Sequence, residues 1–215
     1  SYVLADDLSG ALEAGAAFLA RGWRVTLPLG AADDVTSPSA TLALHSTETR
    51  NVRGEAAATT VRRLLAARRA AGGQLLFKKI DSTLRGPVGP ELAAVQEEIA
   101  PPLLVVCPAT PSAGRTVRDG RLLVHGTPVA DTEFGRDPGW PVTESRIATL
   151  LAAAGIEEVA SLSLARLRSD RGLEPGDGRG VLVSDAETDA DLVRLVTMVR
   201  HHEPRAVFVG AGGLA

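Results

Sequence analysis

The chain has 215 residues, enough for one domain with a substantial core, and its 45% hydrophobic and 23% charged residues are typical of globular proteins. The net charge of −3 argues against a general nucleic-acid or anionic-membrane surface, so any positive field must be local to a site. Cys107 is the single cysteine, which excludes an intramolecular disulfide, and no apolar run or N-terminal signal indicates a membrane or secreted protein. We therefore expect a cytoplasmic protein without nucleic-acid or membrane partners.

The first half of the chain alternates strands and helices. Short apolar stretches predict strands at residues 2–5, 23–29, 41–44, 74–77 and 103–106, with a polar link at 31–39. Apolar residues at helical spacing predict helices that end near Ala20, Ala71 and Pro101. This order predicts a doubly wound α/β fold with a mostly parallel sheet and helices on both faces.

The region around residues 108–142 breaks this alternation. Residues 108–118 are rich in Pro, Gly and Thr, and residues 121–124 and 128–130 predict a hairpin followed by an irregular segment. Such a long insertion in a compact domain is usually functional. The alternation then resumes, with helices predicted at 144–154 and 188–202, strands at 157–162, 180–184 and 206–209, and a surface loop at 166–179. No linker divides the sequence, so we expect one domain over residues 1–215.

Polar residues follow several of the predicted strands. Asp6 and Asp7 follow the first strand, and residues 47–51, 79–86 and 108–118 each hold at least one Arg beside a hydroxyl. If these strands are neighbours, their carboxyl ends place all four segments at one edge of the sheet, where open α/β sheets bind ligands. Arg and Lys bind carboxylates, and Asp and Ser bind hydroxyls, so this mixture suits a polyhydroxylated acid. For residues 78–86 the alternative is a solvated loop in which Asp81 pairs with Arg85.

Several sharper motifs are absent or ambiguous. The sequence contains no GxxxxGK[ST] phosphate-binding loop and no GxSxG nucleophile elbow. The glycines at residues 210–213 are compatible with either a tight turn or a phosphate cradle. The histidines show no metal-ligand spacing with Cys107, which closes an apolar strand and is better explained as a buried structural thiol than as a nucleophile.

Six segments in order resemble the amino-terminal domain of the four-carbon acid sugar kinase family. They are residues 3–11 (VLADDLSGA), 78–86 (KKIDSTLRG), 114–116 (GRT), 132–138 (TEFGRDP), 185–192 (DAETDADL) and 209–215 (VGAGGLA). The sequence departs from the family pattern at Ser9, where Thr is usual, at Thr110, where an aromatic residue is common, and at Ala211 in the last glycine turn. The Ser9 difference preserves the hydroxyl group.

The resemblance implies an ATP-dependent kinase acting on a sugar acid such as threonate, erythronate or a 3-oxo-tetronate. In that family the amino-terminal domain holds the sugar acid, and a separate carboxyl-terminal domain holds the nucleotide. We therefore expect ATP and Mg²⁺ to bind mainly to a second domain, in cis or in trans, and this chain alone to be inactive. The alternative is a stand-alone, non-catalytic sugar-acid-binding domain, regulatory or complemented by a separate nucleotide-binding chain. A homo-oligomer is compatible with either reading.

The residues that match the family motifs give a hypothesis of roles. Arg50, Lys79 and Arg85 would bind the carboxylate of the substrate, while Asp7 and Asp81 would orient its hydroxyls, one of them acting as base. The candidate catalytic residues are therefore Asp7, Asp81 and Arg85. The candidate substrate-binding residues are Asp6, Ser9, Arg50, Lys79, Ser82, Gly114, Arg115 and Thr116. No residue is assigned to a metal.

Overall fold

The computed structural model describes residues 1–28, 41–169, 171–173 and 180–215. The strands are β1 (Tyr2–Ala5), β2 (Arg24–Thr26), β3 (Thr41–Ser46), β4 (Leu75–Lys79), β5 (Leu103–Cys107), β6 (Arg115–Arg118), β7 (Arg121–Val124), β8 (Thr127–Pro128), β9 (Val159–Leu162), β10 (Gly180–Ser184) and β11 (Val207–Gly210). The helices are α1 (Leu8–Ala20), α2 (Glu55–Ala70), α3 (Val88–Ile99), α4 (Ile147–Ala152), α5 (Leu164–Leu167) and α6 (Asp189–His202). The predicted link at 31–39, the end of the strand predicted at 23–29 and part of the loop predicted at 166–179 lie outside the described residues.

Eight strands form one parallel sheet in the order β2-β3-β1-β4-β11-β5-β10-β9. Every residue of β1, β5 and β11 is buried, as expected for strands covered on both faces, and this explains their uninterrupted apolar sequences. The predicted α/β fold with a mostly parallel sheet is confirmed. Because β3 and β4 lie on opposite sides of β1, the direction of winding changes there, and open α/β sheets bind ligands at the carboxyl ends of the strands at such a point.

Helices cover the two faces of the sheet in the way that right-handed crossovers require. The connections through α1 and α6 run toward the β2 edge, whereas those through α2 and α3 run toward the β9 edge. Crossovers of one hand that run in opposite directions place their helices on opposite faces. Accordingly α2 packs against α3 and α3 against α4, while α1 packs on β1, β2 and β3.

The inserted region forms a small antiparallel sheet in the order β6-β7-β8, so the predicted hairpin gains a third strand. Val117 and Ala186 exchange backbone hydrogen bonds of 2.8 and 3.0 Å, which tie β6 to the segment after β10. The buried carboxylate of Asp185 accepts the N–H groups of Asp119 and Gly120 at 3.0 and 2.9 Å. These bonds fix the insertion beside the carboxyl ends of the main strands.

Two differences between the predicted and the observed elements have identifiable reasons. The helix predicted from residue 144 begins at Ile147, because the Ser145 carbonyl and hydroxyl accept hydrogen bonds from Leu122 and Ala130 of the insertion. The short helix α5 was missed; the Ser163 hydroxyl caps it by accepting the N–H of Arg166. Across the described residues, none of the helices has the length and apolar character needed to cross a membrane.

Candidate functional site

Arg50 joins the loop after β3 to the loop after β1. Its Nε and Nη2 atoms each donate to the Asp6 carboxylate at 2.9 Å, and its Nη1 atom donates to Asp7 at 2.5 Å. The backbone N–H groups of Thr49 and Arg50 both donate to the Asp6 carbonyl, at 2.9 and 3.1 Å. Burial tends to lower the pKa of Arg50, but the hydrogen bonds and charges of the surrounding aspartates raise it above its ordinary value. The guanidinium is therefore a permanent cation held between carboxylates.

The Asp7 carboxylate accepts hydrogen bonds from two partners, the start of α1 and Arg50. As the N-cap of α1 it accepts the Gly10 N–H on Oδ1 at 2.6 Å, while Oδ2 faces Arg50. A carboxylate at this position is favourable because it satisfies an orphan backbone donor and interacts with the positive end of the helix. The Asp7 side chain remains 20% exposed, whereas that of Asp6 is 3% exposed. Asp7 is therefore the more accessible of the two adjacent carboxylates.

Asp81 organises the loop that follows β4. Its carboxylate accepts Arg85 Nε and Nη2 at 3.0 and 2.9 Å, together with the hydroxyl and N–H of Thr83. Arg50 Nη1 lies 3.7 Å from Oδ1 of Asp81. Burial alone would raise the pKa of Asp81, but the hydrogen bonds from Arg85 and Thr83 and the two arginine charges lower it to about 2. Asp81 is thus ionised, and both of its oxygens accept hydrogen bonds. The ion pair between Asp81 and Arg85 is present, and it lies beside Arg50.

The adjacent residues Lys78 and Lys79 point to opposite faces of the sheet, as alternation along a strand requires. Lys78 is fully buried, and its Nζ lies 2.7 Å from Glu91 of α3, which also accepts the Thr49 hydroxyl. Lys79 Nζ lies 2.9 Å from Glu13 of α1, whose side chain is 52% exposed. Lys79 therefore lies on the α1 face of β4, whereas Lys78 lies on the face that packs against α3.

An outer wall is formed by residues of the inserted region. The guanidinium groups of Arg85 and Arg115 each lie 5.7 Å from the centre of the Phe134 ring. Arg85 Nη1 is 3.7 Å from Asp137, which accepts the N–H groups of Gly139 and Trp140. The aromatic ring therefore lies within cation–π distance of both arginines.

Two buried polar atoms in this wall have no hydrogen-bond partner among the described residues. They are Oγ1 of Thr110, which follows β5, and Nε of Arg115, which begins β6. The two residues are bridged through their backbones by hydrogen bonds of 2.9 and 3.1 Å. Buried polar groups normally have a hydrogen-bond partner, so these two atoms near the carboxyl end of β5 keep hydrogen-bonding capacity that the described residues do not use.

The structure thus brings Asp6, Asp7, Arg50, Asp81 and Arg85 into one connected network, as expected for residues that follow the ends of neighbouring parallel strands. The other predicted residues occupy the surroundings. Ser9 is exposed in the first turn of α1, and Ser82 and Thr116 are half-buried. Gly114 ends the turn Pro111–Ala113 with a φ of 71°, so a residue with a side chain would be strained there.

Sequence reasoning missed Glu91 and Glu13, which hold the two lysines, and gave no role to Phe134 and Asp137. Glu91 lies in the first turn of α3, where an acid interacts favourably with the positive end of the helix. No local signal separates a helix-start carboxylate from one that pairs with a lysine 13 positions earlier. Phe134 and Asp137 lie in the segment 132–138. The match of this segment to the family motif was the signal that could have identified them.

The glycines after β11 have a packing explanation, and the described residues do not indicate a metal site. The described part of the chain contains no group of three His, Cys, Asp or Glu side chains arranged to hold a metal. Side chains at Gly210, Gly212 and Gly213 would collide with the Cys107 carbonyl, Glu13 and the Ala109 carbonyl respectively. The glycines at 210–213 are therefore explained by close packing in a tight turn. Cys107 is completely buried, and burial raises the pKa of its thiol to about 12, as expected for a structural cysteine.

Comparison with known proteins gives consistent matches over the whole chain. The family model described as a sugar-binding N-terminal domain matches residues 1–215. A D-threonate kinase from Bordetella bronchiseptica is 40% identical over 223 residues, covering 99% of this chain and 53% of the relative. A D-erythronate kinase from Heliobacterium modesticaldum is 33% identical, covering 88% of this chain and 46% of the relative. The chain therefore spans about half the length of the curated relatives it matches.

A solved structure supports the same relationship. A protein from Bordetella bronchiseptica, crystallised with bound citrate as a domain-swapped dimer, matches with a TM-score of 0.86 and 38% identity. The match covers 100% of this chain and 55% of the other. The family resemblance predicted from the sequence motifs is confirmed by these matches. The chain belongs to the family of sugar-binding N-terminal domains.

Proposed function

We propose that this chain binds a four-carbon sugar acid, such as threonate or erythronate, as the substrate-binding part of an ATP-dependent kinase. The observation that carries the proposal is the cluster of arginines and carboxylates at one edge of the sheet, beside the unsatisfied atoms of Thr110 and Arg115. Relatives named as D-threonate and D-erythronate kinases support it, as does the related structure with bound citrate, itself a hydroxy acid. In cells we place the protein in the cytoplasm.

The carboxylate of the sugar acid would bind at the outer wall. Arg85 keeps Nη1 turned toward Asp137 at 3.7 Å, beyond ordinary hydrogen-bonding distance, and Arg115 has an unsatisfied Nε. Both guanidinium groups can present donors to a carboxylate, which a planar fork binds well. Lys79 would add positive charge from the other side of Asp7, because its partner Glu13 is half-exposed and its ion pair is weak.

Asp7 is the better candidate for the base that receives the proton of the attacking hydroxyl. Asp81 has a pKa of about 2, so it is a weaker base than an ordinary carboxylate. Asp7 is more exposed, and phosphoryl transfer requires positioning and charge neutralisation more than a strong base. Arg50 and Asp6 would then hold Asp7 in place, and Ser9 and Ser82 would bind hydroxyls.

We assign the binding of ATP and Mg²⁺ to a second domain, because this chain spans about half the length of the relatives named as kinases. That domain would follow in a longer gene product or be supplied by another chain; the greater length of the relatives supports the first arrangement. ATP would supply the phosphoryl group there. Because the related Bordetella structure is a domain-swapped dimer, we also propose a homo-oligomer for the complete protein.

Thermal unfolding of the 215-residue chain tests whether the sugar acid binds to this chain and ATP binds elsewhere. D-threonate or D-erythronate should raise the Tm, since a ligand at 100 times its Kd adds about 2.7 kcal/mol to the free energy of unfolding, and ATP with Mg²⁺ alone should leave the Tm unchanged. Arg115→Gln should reduce the shift. Arg118→Gln, an exposed arginine of the same strand, is the matched control and should retain it. A shift with ATP alone, or no shift with any four-carbon sugar acid, would contradict the proposal.

A further inference from the structure

A large apolar groove lies on the face of the sheet that carries α1 and α6. Its volume is about 630 Å³. We call it the α1–α6 groove. Its walls and floor are formed by apolar side chains of both helices and of the strands between them, chiefly Phe18, Trp23, Leu76, Leu192, Val196 and Phe208. Trp23 and Val193 at its edges are 43% and 65% exposed, a large exposure for apolar residues.

The groove has the width of one missing helix. Adjacent strands are about 4.8 Å apart, and packed helices lie about 10 Å apart, so one helix covers two strands. On this face α1 packs chiefly on β1, β2 and β3 and contacts β4 less extensively, and α6 forms the opposite wall of the groove. The strands at the floor of the groove are β4 and β11, which are neighbours in the sheet and contribute Leu76, Phe77 and Phe208. Strand β11 and the part of β4 that α1 leaves open provide space for one helix.

The lining does not suit a small charged ligand. Its charged residues are Arg21, Asp189 and Arg200. Arg200 already donates to the carbonyl groups of Pro204 and Ala206, and its guanidinium lies 4.8 Å from the Phe208 ring. The remaining two charges are of opposite sign, so they offer no phosphate-binding cluster. An apolar surface with a polar rim instead fits the apolar face of an amphipathic helix.

The path of the chain leads directly into this groove. After β11 the Leu214 N–H donates to the Ala211 carbonyl at 3.1 Å, which forms a helix-like turn, and Leu214 and Ala215 themselves line the groove. Elsewhere in the sheet, β1, β3, β4, β9 and β10 are each followed by a helix. The matching family model describes an N-terminal domain, and the relatives are about twice as long as this chain.

We propose that the α1–α6 groove is the docking site of an amphipathic helix that directly follows Ala215 in a longer gene product. This helix would cover β4 and β11 and complete the layer between α1 and α6. Because β4 leads into the loop of Asp81 and Arg85, the helix would also connect the residues that follow it to the strand that precedes this loop. The proposal rests on packing and does not depend on the identity of the ligand.

The first test uses a synthetic peptide of the 20 or so residues encoded immediately after Ala215, about the length of a well-formed amphipathic helix. It should bind the 215-residue chain and shift the fluorescence of Trp23 to shorter wavelength, read in a Trp140→Phe background because the chain has two tryptophans. Val193→Asp should weaken peptide binding about tenfold or more, because it places a charge where an apolar contact forms. Leu12→Asp is the matched control: Leu12 is an exposed apolar residue of α1 that does not line the groove, and this change should leave the affinity unchanged.

A second measurement covers the case in which the isolated peptide does not fold. A chain extended by the same residues should show slower amide hydrogen exchange in β4 and β11 than the 215-residue chain, and Val193→Asp should reverse this protection. A reading frame that stops at Ala215 would overturn the proposal. Equal exchange rates in the two chains would also overturn it, as would a dimer of the 215-residue chain that Val193→Asp dissociates and the extension does not.

Discussion

Three carboxylates surround the single guanidinium of Arg50, and two of them lie within hydrogen-bonding distance. Asp6 and Asp81 are buried, so their charges have lost most of their contact with water. A buried ion pair contributes little net free energy when intact, but removing one partner leaves an uncompensated charge. The arrangement therefore makes the integrity of the site, and part of the stability of the fold, depend on one side chain.

Arg50→Ala should lower the free energy of unfolding by about 3–5 kcal/mol, because Asp6 would remain buried without a counter-charge. Arg50→Lys should cost less, since an ammonium keeps the charge but loses the two-pronged hydrogen bond to Asp6. Urea denaturation measures both. Arg62→Ala is the matched control, because Arg62 pairs with the exposed carboxylates of Glu55 and Glu97, and its loss should be much smaller. Equal losses at the two positions would contradict this account.

The sequence was sufficient to predict which residues gather at the site but not which atoms meet. Asp7, Arg50 and Asp81 each follow the end of a parallel strand, and strand ends converge at one edge whatever the details of the loops. Arg50 was predicted to bind the carboxylate of a substrate, yet in the structure it faces carboxylates of the protein itself. That choice depends on loop geometry at the scale of one hydrogen bond, which no residue pattern encodes.

At the scale of elements, the ion pair between Lys78 and Glu91 links β4 to α3 beneath the site. The exposed fractions of the two side chains are 0% and 1%, and Glu91 also accepts the Thr49 hydroxyl. Thr49 precedes Arg50, so one buried carboxylate connects a strand, a helix and the loop that carries the central guanidinium. A change at Glu91 should therefore affect both stability and the binding of a sugar acid.

Glu91→Gln should destabilise the fold by several kcal/mol, because it leaves the Lys78 ammonium buried without a counter-charge. The double variant Lys78→Met with Glu91→Leu should recover most of the lost stability, since it removes both charges and retains similar volume. Denaturant unfolding of the single and double variants measures the coupling. Additive losses would show that the two side chains do not act as a pair. Calorimetric titration with D-threonate then tests whether Thr49 and Arg50 stay in place without Glu91.

Strands with strong apolar runs were predicted well, and weakly patterned elements were not. The strand β6 contains one apolar residue, Val117, and forms because Ala186 and the partner strand β7 satisfy its backbone. The position of β11 between β4 and β5 was equally inaccessible from the sequence, because nearly a hundred residues separate β11 from β5 in the chain. Local patterns specify elements, whereas long-range pairings determine their neighbours.

For the molecule as a whole, several groups connect stability to acidity, and His45 and Asp81 are two of them. Burial, with the nearby charge of Arg68 as a smaller cause, lowers the pKa of His45 from 6.5 to about 4. The hydrogen bonds and arginine charges at Asp81 outweigh burial there and lower its pKa from 3.8 to about 2. In both cases the unfolded chain binds a proton at a higher pH than the folded chain does. Each group therefore contributes stability above its unfolded pKa that is lost as the pH falls toward its folded pKa.

The free energy of unfolding should consequently fall in two windows on acidification. His45 predicts a loss of about 3 kcal/mol between pH 6.5 and 4, and Asp81 predicts about 2 kcal/mol between pH 3.8 and 2. His45→Gln should flatten the first window, and Asp81→Asn should reduce the slope of the second, to which Asp191, whose pKa is also lowered by its hydrogen bond with Arg168, contributes as well. Urea denaturation at closely spaced pH values separates them, with His201→Gln, an exposed histidine at the end of α6, as the control that preserves both. If His45→Gln kept the slope of the first window, burial of neutral His45 would not be its cause, and the acid sensitivity would have to arise elsewhere in the fold.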